Sequence, residues 1–212
     1  MGAGPSRVAK LAGMSGHDHD HDHDHEGHDH DEHEHDAEAA ERQARRRIAL
    51  SQVRQYGDPV LRMHANEVEA FDLELVQLSE RMIAVMHDAD GVGLAATQVG
   101  ILRRVFVFHD DGEDRVVVNP VLTVRGNDTE VDEEGCLSLG PVRMPVERAV
   151  EVTLDGVDVH GAELHLELEG LAARVVQHEL DHLDGTLIVD RTDPESRREA
   201  MAQLRPRLVL SR

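Results

Sequence analysis

The chain has 212 residues, room for one ordinary domain and an appendage. It carries 43 acidic against 22 basic residues, a formal net charge of -21, and apart from the cluster Arg45-Arg46-Arg47 it has no dense basic stretch, which argues against direct nucleic-acid reading. No apolar run approaches the roughly 18 residues of a membrane span, and one cysteine, Cys136, rules out an internal disulfide framework and suits a reducing compartment.

The start lacks the apolar core of a secretory signal. "MGAGPS" matches the permissive myristoylation pattern, but no second feature supports a lipid anchor. A soluble, cytoplasmic protein without membrane contact is expected.

Residues 17–36, "HDHDHDHDHEGHDHDEHEHD", hold ten acidic residues and no Lys or Arg, and setting them aside moves the net charge from -21 to -11. Residues 1–40 have almost no large apolar side chains, so burial does not offset their ordering entropy, and 1–43 are expected to form a disordered extension. Its imidazoles and carboxylates suit extra divalent metal, without the defined geometry that catalysis needs.

The remaining 44–212 are expected to form one catalytic domain, folded from about Ile48. "QYGDPVLR" (residues 55–62) contains a turn. Between Asp72 and Asp90, Leu75, Leu78, Met82, Val85, Met86 and Ala89 recur at helical steps and predict one amphipathic helix that stops before Gly91. "RRVFVFHD" and "RVVVNPVLTVR" predict strands joined by a hairpin turn over Asp110 to Asp114, and alternation at Val150, Val152, Leu154 and at Leu164, Leu166, Leu168 predicts two more. Leu171 to Leu183 reads as a helix apolar on more than one side and therefore buried. Thr192 and Glu195 stand at capping-box spacing ahead of a last helix over about 194–204. This order lacks repeated strand-helix alternation, so the fold class is α+β, with antiparallel or mixed sheet around a central helix and a C-terminal helix.

That central helix ends in "QHELDHLDG". Its histidines, His178 and His182, stand i,i+4, about 40 degrees apart after one turn, and can aim at one point. Glu179 points about 100 degrees away, where a general base beside a metal belongs. A chance pair of helical histidines is the plain alternative, made costly by the apolar flanks. A catalytic site needs a third ligand, and Cys136, in a loop-like "EEGCLSLG", is either that ligand or a small buried hydrophobe.

Three separated blocks, "GVGLAATQVG" (91–100), "EEGCLSL" (133–139) and "QHELDH" (177–182), together resemble the peptide deformylase family, and the likeness runs from about Val53 to Arg191. The resemblance implies a metal-dependent hydrolase that removes the N-formyl group from the initiator methionine of nascent chains at the ribosome and releases formate. It implies Fe(II), with Zn, Ni or Co as substitutes, held by Cys136, His178 and His182 with water as fourth ligand. Glu179 would move the water proton to the leaving amine, while the Gln98 amide and the Leu137 backbone N–H would stabilise the formyl oxygen. Val92 and Gly93 would line the substrate groove, and Arg143 would contact substrate backbone unless it is a solvated loop charge. Asp181 is expected to pair with Arg148 and brace the metal helix.

Three features depart from the family pattern. Gly140 stands where proline is usual, Arg174 sits near commonly apolar pocket positions, and the His-rich extension precedes the usual start. A zinc endopeptidase would share His-Glu-x-x-His but normally adds a third His or Glu and does not need "EGCLS". A metal-buffering protein would depend on its tail, so deleting residues 1–40 distinguishes it from an enzyme.

Overall fold

A computed structural model describes residues 28–204, with side chains from Ala37 onward. By its contacts the chain divides into two compact units, residues 1–38 and 39–212. Most of the His/Asp tract, residues 17–27, lies outside the described residues.

Helix α1, His28–Gln52, covers part of the extension for which the composition suggested disorder. Alanine and long straight side chains in "AEAAERQARR" favour helix, and the i,i+4 pair Glu41–Arg45, 2.9 Å apart, adds to that preference. At the C-terminal end, Ala49 is buried and Val53 just beyond joins the same core.

Helix α2, Leu73–Asp88, starts where the Asp72 carboxylate accepts from the Leu75 N–H. Its stripe Leu75, Met82, Val85 and Met86 is buried as the periodicity predicts. The chain then runs into β1, Gly93–Ala95, β2, Val105–Asp110, β3, Glu113–Gly135, β4, Arg143–Val157, and β5, Glu163–Glu169. All pair antiparallel in the order β1-β2-β3-β4-β5, leaving β1 at an edge. The β2–β3 hairpin turns through Asp111 and Gly112, both at positive φ, as a two-residue turn of matching twist requires.

Strand β3 runs far past the predicted "RVVVNPVLTVR". Residues 126–135, a polar stretch with no strand signature, are carried by pairing with β4, and Cys136 follows the strand end directly rather than sitting in a free loop. Register shifts fall at Val118/Val121 and Arg125/Thr129. Such irregularities let so long a strand bend. At the first, Asn119 takes φ 51 and its side chain bonds both backbone groups of Val68, so Pro120 meets no ladder partner it must serve.

Helix α3, Gly170–Leu183, and helix α4, Pro194–Leu204, match the predicted spans closely. Three apolar clusters surround the sheet. Helix α2 packs on one, the apolar side of α3 on a second, and Cys136 sits in the third with Met144, Val146 and Ile188. The buried apolar residues of α3, Ala173, Val175, Val176 and Leu183, all join the second cluster.

Candidate metal centre

On α3, His178 and His182 stack edge to face with ring centroids 5.0 Å apart. Cys136, brought in by the end of β3, places Sγ 3.2 Å from His182 Nε2. One ligand atom from each of the three residues lies within 4.8 Å of the others. Metal bonds of about 2.0–2.3 Å to nitrogen and sulfur put tetrahedral ligands roughly 3.5 Å apart, so this donor set fits one ion with little movement. One thiolate and two imidazoles suit a borderline transition metal rather than Mg or Ca.

The centre is braced by a buried charge network that goes beyond the expected Asp181–Arg148 pair. Glu134 accepts from His178 Nδ1 at 3.0 Å, which leaves Nε2 for the metal side. Arg148 donates Nε to Glu134 at 2.9 Å and Nη1 to Asp181 at 2.6 Å, so the predicted Asp181–Arg148 pair exists and extends to the metal helix from both ends. Arg174 adds a bond to Glu134 at 2.9 Å, and Arg191 grips Asp181 through two bonds. Burial opposes the charge on Glu134, yet hydrogen bonds from His178 and Arg148 outweigh it and hold its carboxyl at about 2. Glu134 lies in the "EEGCLSL" block and precedes Cys136 by two residues at the strand end, so it shares its face.

Glu179 is 4 % exposed and its Oε2 has no hydrogen-bond partner among the described residues. Burial raises its carboxyl to about 7, where an acid both accepts and releases a proton near neutral pH. Oε1 faces β1 so closely that a Cβ on Gly93 would lie 2.4 Å from it.

Gln98 sits in a 3-10 turn after β1. Its Oε1 accepts from the Ala95 N–H at 2.8 Å, which turns Nε2 toward Ser138 Oγ at 3.2 Å and Cys136 Sγ at 3.6 Å. The residue is thus held with its donor end toward the centre. Leu137 opens the 3-10 turn Leu137–Leu139, and a residue in that position has no use for its N–H within the turn. Ser138, within "EEGCLSL", and Gln55, which opens "QYGDPVLR" and donates to the Leu137 carbonyl at 3.2 Å, were given no role from the sequence.

A cleft of about 490 Å³ opens on the centre. Val92, Gly93, Gln98, Cys136, Leu137, Arg143, His178 and Glu179 all line it, and His182 lies behind, 1 % exposed. Arg143 is exposed and spends one donor on the Glu133 carbonyl at 3.0 Å. All nine residues singled out in the sequence therefore gather at one place.

The family model described as polypeptide deformylase matches residues 50–198. The chain belongs to the polypeptide deformylase family. Peptide deformylase 1 of Corynebacterium efficiens is 48% identical over 162 residues, spanning 74% of this chain and 96% of its own. The peptide deformylase of Thermotoga maritima is 46% identical over 146 residues, 69% of this chain and 89% of its own. Its crystal structure superposes with a TM-score of 0.65 at 46% identity, covering 67% of this chain and 97% of that one. A peptide deformylase from Synechococcus elongatus, solved in complex with actinonin, gives a TM-score of 0.69 at 38% identity over 71% of this chain and 85% of that one.

Two departures from the deformylase pattern now have physical accounts. Gly140 holds φ 62, which proline with φ near -65 degrees does not reach. Arg174 lines the cleft, but its guanidinium is occupied by Glu134 and by the carbonyls of Val146 and Glu130. It acts as a brace under the pocket wall rather than as a free charge offered to a ligand.

Proposed function

We propose that this chain hydrolyses the N-formyl group of the initiator methionine of nascent peptides, with 44–212 as the catalytic domain and 1–43 as an appendage. The observation that carries the reading is the meeting of Cys136, His178 and His182 on one open cleft beside a buried Glu179 whose Oε2 has no hydrogen-bond partner among the described residues. Fe(II) is the proposed native ion, and Zn, Ni or Co would fit the same donors. When bound, the ion supplies Lewis acidity, lowering the pKa of water and polarising the formyl oxygen.

The chain's own residues account for the rest. A peptide lies along the free edge of β1, extending the sheet by backbone hydrogen bonds, with Val92 and Gly93 beside it and Arg143 at its backbone. The cleft accepts the methionine side chain. Water adds to the formyl carbon while Glu179 takes its proton. The Gln98 amide and the Leu137 N–H donate to the oxygen on which charge develops. The carbon–nitrogen bond then breaks, Glu179 passes its proton to the departing amine, and formate and a free amino terminus are released.

The proposed setting is the cytoplasm, with chains emerging from the ribosome as substrate; among the described residues no helix is long and apolar enough to cross a membrane. The His-rich tail is proposed to hold extra divalent metal without taking part in hydrolysis.

The test is formate release from a formyl-Met peptide by anaerobically prepared Fe(II) protein. Activity is expected in the intact chain and in a chain lacking residues 1–43, and is expected to vanish with Cys136→Ala. No release from a fully metallated chain, or cleavage of unformylated casein instead, would refute the assignment.

Gly93 offers a second check. An added methyl in Gly93→Ala meets the Glu179 carboxylate and Val175 Cγ1, 2.9 Å away, so the carboxylate must shift. Displacement by about 1 Å costs on the order of 10²-fold in rate. We expect that loss with metal content unchanged, read by turnover alongside metal analysis.

A further inference from the structure

A second group of metal-binding side chains lies on the surface, outside the cleft centre. His87 Nε2 is 2.8 Å from both oxygens of Asp114, and His109 Nδ1 is 2.8 Å from Asp114 Oδ1. The two rings meet edge to face with centroids 5.5 Å apart, and one ligand atom from each residue lies within 4.8 Å of the others.

From this geometry we propose that His87, His109 and Asp114 form a second divalent-metal site, for a borderline transition metal such as zinc. Bonds of about 2.0–2.2 Å to nitrogen and carboxylate oxygen set tetrahedral ligand atoms roughly 3.3–3.6 Å apart, so the three close on an ion with small side-chain adjustments. The proton now shared with Asp114 moves to the other ring nitrogen, His87 Nδ1 or His109 Nε2. Two imidazoles disfavour Mg and Ca, which take oxygen ligands.

The backbone supports the arrangement. His109 and Asp114 are cross-strand partners in the β2–β3 hairpin, one step from its tight turn, so their spacing is set by strand pairing. His87 comes from the last turn of α2, where the negative end of the helix dipole favours a cation. Asp110, Asp111 and Glu113 lie nearby in sequence, of which Glu113 pairs with Arg115 at 3.1 Å and Asp110 approaches it at 4.0 Å. The side chains are 47 %, 39 % and 29 % exposed, which leaves the outer coordination positions to water. A bound ion would tie the end of α2 to the hairpin, and the site takes no part in deformylation.

The test is zinc titration of the full-length chain labelled with ¹⁵N, read at histidine ring resonances assigned through His87→Gln and His109→Gln. Site-specific readout is needed because the His-rich tail also takes zinc. His165 serves as internal control, since it pairs with Asp155 at 2.6 Å without a second imidazole. The His87 and His109 signals are expected to shift together at zinc concentrations that leave His165 unmoved, to stay unmoved with magnesium, and to need at least tenfold more zinc in Asp114→Asn. Deformylation by His87→Gln should match that of the parent chain. If His87 and His109 respond only together with His165, respond equally to magnesium, or keep their affinity in Asp114→Asn, the three residues are a hydrogen-bonded surface cluster and the proposal is overturned.

Discussion

Glu179→Gln is expected to lower formate release by about 10²- to 10⁴-fold, the usual contribution of a positioned proton-transfer group. The substitution keeps the shape of the side chain, so the close approach to Gly93 is preserved, and it removes only the capacity to accept and return a proton. Glu179 is not among the three metal-donor residues, so metal content and affinity should be unchanged in the same preparation. A variant that loses rate and metal in parallel would show that Glu179 holds the ion, and the assignment of the proton to this carboxylate would fall. A variant with near-parental turnover would remove Glu179 from the mechanism altogether.

The other large effect concerns stability together with metal binding. Glu134 is 5 % exposed and takes hydrogen bonds from Arg148, Arg174 and His178. Glu134→Ala leaves two buried guanidinium groups without this carboxylate, and removing one partner of a buried ion pair typically costs about 3–5 kcal/mol. It also frees the His178 ring, and loss of such an outer partner typically weakens metal binding by about 10- to 100-fold. Denaturant unfolding of metal-stripped protein measures the first effect, and competition with a chelating dye measures the second. Unchanged stability would mean that Arg148 and Arg174 find other partners. Unchanged metal affinity would mean that packing alone orients His178.

The two effects are separable because the network has two ends. Arg148 also holds Asp181, which Arg191 grips from the other side, so the helix stays anchored when Glu134 is lost. Glu134→Gln keeps a hydrogen-bond acceptor for His178 while removing the charge. It should therefore recover metal affinity more fully than stability.

Local patterns made much of this legible before any fold was known. Helical periodicity marked α2 and α3 because their buried stripes repeat every three or four residues within a short window, whereas α4, with Ala200 alone buried, was marked by capping-box spacing. The i,i+4 histidines and the neighbouring Glu179 could be placed on one helix for the same reason. The Asp-Gly turn between β2 and β3 was readable because positive φ restricts the residues that such a turn accepts. The helical continuation of α1 into the acidic extension was not, since composition weighs average apolarity and overlooks alanine-rich, ion-paired segments.

Other features arise from contacts between segments distant in the chain. Residues 126–135 become strand through pairing with β4, because β-structure depends on cross-strand neighbours more than on intrinsic preference. Glu134 is a buried, charge-holding brace only because β4 and α3 bring Arg148, Arg174 and His178 around it; its place in "EEGCLSL" shows neither its burial nor its partners. His87, His109 and Asp114 belong to a helix and a hairpin that meet only after folding. The chain's short-range spacing thus specified α2, α3 and α4 and brought two candidate metal ligands together. The neighbours that orient those ligands, and the depth at which charges are buried, follow from packing, since burial and hydrogen bonding are properties of what lies across space.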